Sequence, residues 1–130
     1  MEGILERLES IEKRKDHLVK EAEKLCNDYG REKIPETAQL QNLRTVAFST
    51  SSIEEIKNYI KYQMGRIKEW FSEKEGKKFG DALIKKIEEE KTYFSSNPDT
   101  ALYSIRLFIG YLIRYAKYLE KIGGEGEKRP

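Results

Sequence analysis

Apolar residues recur along almost the whole chain at the three-and-four spacing of an amphipathic helix, and continuous β-branched runs are scarce, which predicts an all-α protein. From Gly3 to Tyr29, Ile4, Ile11, Leu18 and Leu25 lie seven apart, with Leu8, Ala22 and Tyr29 interleaved. This average spacing of about 3.5 residues makes a narrow apolar seam, broken at Lys15, and Gly30 supplies a C-cap. The helix can pack on its own domain or pair with a partner helix. A second helix is predicted to begin at Pro35, to carry Leu40, Leu43 and Ala47 on one face, and to end at Phe48-Ser49-Thr50. Ser51 or Ser52 followed by Glu54 or Glu55 forms a capping box, the start of a third helix. That helix carries Ile53, Ile56, Ile60, Met64, Ile67 and Phe71 to about Lys74, and Glu75-Gly76 interrupts it. A fourth, about Lys77 to Phe94, uses Phe79, Leu83, Ile87 and Phe94. Asn97-Pro98-Asp99 reads as cap, first helical position and dipole-favouring acid, and opens a fifth helix that runs to Ile122 and ends at Gly123-Gly124. Short connectors between five helices imply a compact antiparallel bundle, a single domain over residues 1–124, with a polar tail at 125–130 expected to be disordered.

Composition narrows the picture. The 130 residues hold 25 Lys+Arg and 23 Asp+Glu, a formal charge of +2, with 38% apolar residues, enough for a core without a metal or disulfide staple. Near-neutrality excludes a histone-like tail and leaves only local patches to bind polyanions. The longest apolar stretch, Leu107 to Ile113, is bounded by Arg106 and Arg114 and falls far short of the roughly 20 residues that span a bilayer. No membrane contact is expected. The opening residues lack the order of a signal peptide and Cys26 has no partner, so a cytoplasmic location is expected.

Catalytic chemistry has little to work with. A nucleophile needs a base beside it, and the chain has one His and one Cys. His17, among Lys15, Asp16 and Lys20, reads as a surface residue, and Cys26 as a small hydrophobe at the core edge. Metal-ligand clusters and a Gly-rich phosphate loop are missing, and Glu88-Glu89-Glu90 reads as a solvated face. The expectation is a protein that is not an enzyme and uses no cofactor or metal.

Charge patterning is more informative. At about 100° per residue, Lys57, Lys61, Gly65 and Lys68 share a stripe of the third helix. On the fifth, Arg106, Gly110, Arg114, Lys117 and Lys121 repeat the arrangement, and no acidic residue lies between Asp99 and Glu120. In each stripe a glycine interrupts the long side chains, which would let a bulky backbone approach. Long cations around such a gap suit phosphates, and Tyr103, Tyr111 and Tyr118 lie near enough to stack on unpaired bases. The bland alternative is that both stripes are ordinary solvated faces and the tyrosines core. The fifth helix is apolar over its remaining circumference, so it is the expected centre of the bundle. Gln63 projects into the apolar face of the third helix, where a buried amide must find partners.

Two segments carry a family resemblance. Thr37-Ala38-Gln39-Leu40-Gln41-Asn42-Leu43 resembles the Thr-Ser-x-Leu/Ile-Arg-Asn-Leu/Phe motif of the small helical subunit of type III-A CRISPR (Csm) interference complexes, and Tyr62-Gln63-Met64-Gly65-Arg66 resembles that family's Tyr-Gln-Ala-Gly-Arg motif. The ending is similar too: a Tyr- and Lys-rich amphipathic helix, Tyr111 through Tyr118, closes on Gly123-Gly124. The resemblance spans residues 36–124 in order and does not include the first helix. Gln41 stands where the motif has Arg, and Arg44, one turn on, offers a replacement cation.

The resemblance implies a non-catalytic subunit, several copies of which line the duplex of guide RNA and target RNA beside the backbone and large subunits and touch mainly the target strand. Charge geometry and resemblance together nominate Arg44, Lys57, Lys61, Arg66, Lys68, Arg106, Arg114 and Lys117 as RNA-binding residues; only Arg66 lies inside a matched motif. Phosphate contacts carry no sequence information, which suits a subunit that must accept any paired target. The competing readings are a small subunit of another CRISPR subtype, and a helical interaction module that dimerises through the first-helix seam without RNA.

Overall fold

A computed structural model describes residues 3–128, with side chains described through residue 123. The chain is an all-α bundle of five helices: α1 (Ile4–Tyr29), α2 (Thr37–Ser49), α3 (Ile53–Arg66), α4 (Phe79–Tyr93) and α5 (Pro98–Lys128). Successive helices run antiparallel, so α1, α3 and α5 point one way and α2 and α4 the other. Arg14 pairs with Glu90 and Glu21 with Lys86 between α1 and α4, whereas Ile4 lies beside Thr100 and Tyr115 beside Asn27, which makes α1 and α5 parallel neighbours. The fifth helix is the centre, packed on α1, α2 and α4, while α3 packs on α2 and α4.

Local chemistry fixes two of the five starts. The Ser52 hydroxyl accepts from the Glu55 N–H (3.1 Å), and the Asn97 side chain accepts from the Thr100 N–H (3.1 Å), the two caps legible in the sequence. The first turn of α2 is capped from outside, because the Glu120 carboxylate of α5 accepts from the Thr37 N–H (3.0 Å) and the Thr37 hydroxyl. Burial alone would raise the Glu120 carboxyl, but the two Thr37 bonds outweigh it and hold the group below the usual carboxylate range. That external cap explains why α2 begins at Thr37 and not at Pro35, which is buried in the preceding turn.

Helix three departs most from expectation. It ends at Arg66; Ile67 is extended, Lys68–Phe71 forms a 3₁₀ turn, and β1 (Glu73–Lys74) pairs with β2 (Lys77–Lys78) around Glu75-Gly76. Both turn residues have positive φ (52° and 80°), the mirror-image turn that a two-residue hairpin favours. Continued helix would have put Phe71 in the core. The break instead buries the larger Trp70 completely, edge-on to Phe79 at 6.2 Å between ring centroids, and leaves Phe71 51% exposed. It also takes Lys68 off the helical stripe that the sequence assigned it to. Just beyond the hairpin, a Cβ on Gly80 would run into the Met64 side chain, so α3 and α4 approach each other there through the missing side chain.

At the other end, α5 passes through Gly123-Gly124 to Lys128, so the double glycine does not stop the helix. The expected polar tail at 125–130 lies outside the described side chains, and its last two residues lie outside the described chain altogether. Among the described residues, no helix is long and apolar enough to cross a membrane.

Candidate nucleic-acid interface

The outward strip of α5 opens between its neighbours α1 and α2. Gly110 lies in its middle, where an added Cβ would meet nothing within 4 Å. Around it stand Arg114 and Lys117, both exposed, with the Arg114 guanidinium 5.7 Å from the Tyr111 ring centroid and Lys117 3.8 Å from Glu120. On the α1 side Lys15 lies within electrostatic reach of Tyr103 and Tyr111.

Arg106 occupies the α2 edge of this strip and does structural work there. Its Nε donates to the Ala47 carbonyl (2.8 Å) and one terminal nitrogen to the Thr50 carbonyl (3.0 Å), so it satisfies carbonyls that the end of α2 leaves unpaired and complements the negative end of that helix. The same guanidinium lies 5.3 Å from the ring centroid of Phe48, and Arg44 lies 4.9 Å from it. Phe48, 53% exposed, therefore gathers two cations from two helices around one aromatic surface. The sequence signals for α2 gave it only the role of a helix end.

The α3 group is separate. Helices α2 and α4 both pack between α3 and α5, so the two stripes do not merge into one surface. Lys57 faces α4, held by Glu54 (3.0 Å) and by Glu88, and the Glu88 and then Glu54 carboxylates raise its ammonium above the ordinary lysine value. It is a bridging cation and not a free one. Lys61 is exposed on the outer side of α3, and Lys68 is exposed in the 3₁₀ turn. Arg66 stacks 5.2 Å from the Tyr62 ring centroid and donates to the Gln63 side-chain oxygen (3.1 Å).

Gln63 is fully buried, as its position in the apolar face predicts, and its amide nitrogen donates to the Tyr59 hydroxyl (3.1 Å) and the Gln39 side-chain oxygen (3.3 Å). Gln39 and Gln63 belong to the two separate motifs on which the family resemblance rests. A part-buried side-chain hydrogen bond thus joins α2 to α3, although Gln39 occupies the unspecified position of its motif. Compared with known protein families, with curated proteins and with solved structures, the chain matches none of them.

Other groups of chemical interest fall elsewhere. Cys26 is buried in the main core, and burial pushes its thiol up to about 12, so it stays protonated. His17 is exposed, 3.9 Å from Glu21. Among the described residues, no group of three or more His, Cys, Asp or Glu is placed to hold a metal ion. The Glu88-Glu89-Glu90 run is only partly a solvated face: Glu90 is 3% exposed, accepts from Arg14 Nε (3.1 Å) and a terminal Arg14 nitrogen (2.7 Å), and takes the Ser104 hydroxyl at 2.5 Å. Its spacing from Leu83, Ile87 and Phe94 on one face of α4 was the signal that could have found it.

Proposed function

We propose that this chain is a non-catalytic RNA-binding subunit, the small helical subunit of a type III-A CRISPR effector complex, which holds the target RNA strand along the guide–target duplex without reading its sequence. The observation that carries this reading is the open strip of α5, with exposed Arg114 and Lys117 around Gly110 and with Arg44 across α2. Exposed cations beside a gap with no side chain suit a phosphate backbone, and such contacts fix position without specifying bases. Lys61, Arg66 and Lys68 lie on a different side, suited to a second strand or to a neighbouring subunit, and Lys57 and Arg106 enter mainly as supports for the cationic faces. Each copy alone makes few contacts, and several copies on one RNA turn them into firm binding through effective concentration.

The first-helix dimer has less to stand on. Ile11, Leu18, Ala22, Leu25 and Tyr29 of that seam are buried within the chain's own bundle, and only its first two members, Ile4 and Leu8, remain exposed.

A tagged chain purified from its source cells tests the subunit reading. Sequencing of copurified RNA should yield guide RNA, and mass spectrometry the backbone and large subunits; a stable assembly that contains neither guide RNA nor those subunits would refute it. Gly110→Ala tests the open strip in isolation. Glycine inside a helix costs about 1 kcal/mol relative to alanine. With nothing near the new methyl, the free chain should gain about that much in a thermal or urea melt while its RNA binding weakens. A clear loss of stability would mean that the strip is closed.

A further inference from the structure

Beside Arg114 the α5 strip deepens into a cleft against α1, lined by Val19, Glu23, Tyr111, Arg114, Tyr115 and Tyr118 and enclosing about 250 Å³. Three of these six residues are tyrosines. Tyr115 is fixed by donating its hydroxyl to the Asn27 side-chain oxygen (2.9 Å), and its ring lies 5.7 Å from that of Tyr118 at a tilt of 39°. Tyr118 is 57% exposed, a large ring left in water at the edge of a cationic surface. The cleft is smaller than the roughly 300–1,000 Å³ of sites for drug-sized ligands, a size suited to one planar group. One cation stands at its rim, on the side that faces Gly110.

We propose that this cleft stacks a single unpaired RNA base, with Tyr118 as the outer ring and Arg114 holding the adjacent phosphate. The proposal rests on the RNA reading above, in which phosphate contacts serve the paired strand, and adds to it a preference for a target nucleotide left unpaired beside the guide–target duplex. In a duplex each base shows only its edges, because its faces are covered by neighbours, and an A-form groove does not present those faces to a protein. A cleft walled by tyrosines therefore engages only a nucleotide that is out of the stack. Every base has such a face, so the selection for unpaired RNA brings no selection for sequence. The Glu23 carboxylate that also lines the cleft carries the same sign as a phosphate and disfavours one there.

The test uses the full chain with two fluorescent probes in low salt, a short oligo(U) strand, whose bases stack little on one another, and the duplex of that strand with oligo(A), each followed by anisotropy. The parent should bind the single strand more tightly than the duplex. Tyr118→Leu should weaken single-strand binding about 5- to 100-fold, in line with the loss of one base–aromatic stack, and leave duplex binding unchanged. Tyr118→Trp should retain the parent's preference. Tyr118 is exposed, so all three proteins should give the same circular dichroism spectrum and melt. Equal binding of strand and duplex by the parent, or a folded Tyr118→Leu chain that binds the strand as tightly as the parent, would overturn the stacking cleft and leave the phosphate reading standing. A parent chain that binds neither probe even at high protein concentration in low salt, where a single weakly binding copy still registers, would overturn the RNA reading itself.

Discussion

Replacing Trp70 by alanine should destabilise the protein by about 3–5 kcal/mol, the range seen when a buried large aromatic is truncated. Trp70 is fully buried and meets Phe79 edge-on at 6.2 Å, and Phe79 in turn meets Tyr29 of α1 edge-on at 5.4 Å. The indole thus joins the short segment after α3 to α4 and, through Phe79, to α1. Domains of this kind have only about 5–15 kcal/mol in total, so the loss should be plain as a shift of the urea midpoint. Phe71→Ala is the control: half exposed, it should cost far less. The reverse ranking would mean that helix three continues through this segment, as its apolar periodicity alone suggests.

Arg14→Ala should cost a similar amount for a different reason. It strips a nearly buried Glu90 of its bidentate partner and leaves a carboxylate with only the Ser104 hydroxyl, and an uncompensated buried charge costs about 3–5 kcal/mol. It also removes the guanidinium lying 3.8 Å from the Tyr93 ring centroid. Arg14→Lys keeps the charge but not the two-pronged fork, and should fall between parent and alanine. Arg14→Met combined with Glu90→Leu should recover most of the loss, because a hydrophobic replacement of a whole buried pair is often neutral or better. If the double variant is as unstable as Arg14→Ala in the same urea melts, packing and not the stranded charge accounts for the effect.

These two positions mark where the sequence stopped being legible. The helix starts at Ser52 and Asn97, the central place of α5 and the burial of Gln63 all follow from interactions within a few residues of chain or from the width of an apolar face. The end of α3 does not, because Phe71 continues the apolar period and only the three-dimensional core prefers Trp70 at that point. The stripe through Lys57 shows the same limit for charge. Glu54 of the same helix takes one side of Lys57, but the second carboxylate that occupies it, Glu88, comes from another helix 31 residues away. Arg106 likewise reads as a surface cation until the carbonyl end of α2 is placed against it. Arg44 entered the candidate set as a substitute for the Arg absent at Gln41, and its position beside Phe48 and Arg106 could not be read from either segment alone. What the sequence did locate was the least balanced charge, the α5 strip around Gly110, where no acidic residue intervenes.

That strip holds the central claim, and the salt dependence of RNA binding tests it most directly. Each phosphate contact to a single strand contributes a slope of about −0.7 to the logarithm of the association constant against the logarithm of salt concentration. Arg44, Arg114 and Lys117 changed together to alanine should therefore bind single-stranded RNA more weakly at low salt, with a slope shallower by about 2, and with an unchanged melt because all three side chains are exposed. A folded triple variant with the parent's affinity and the parent's salt slope would contradict the claim that RNA lies on α5 between α1 and α2.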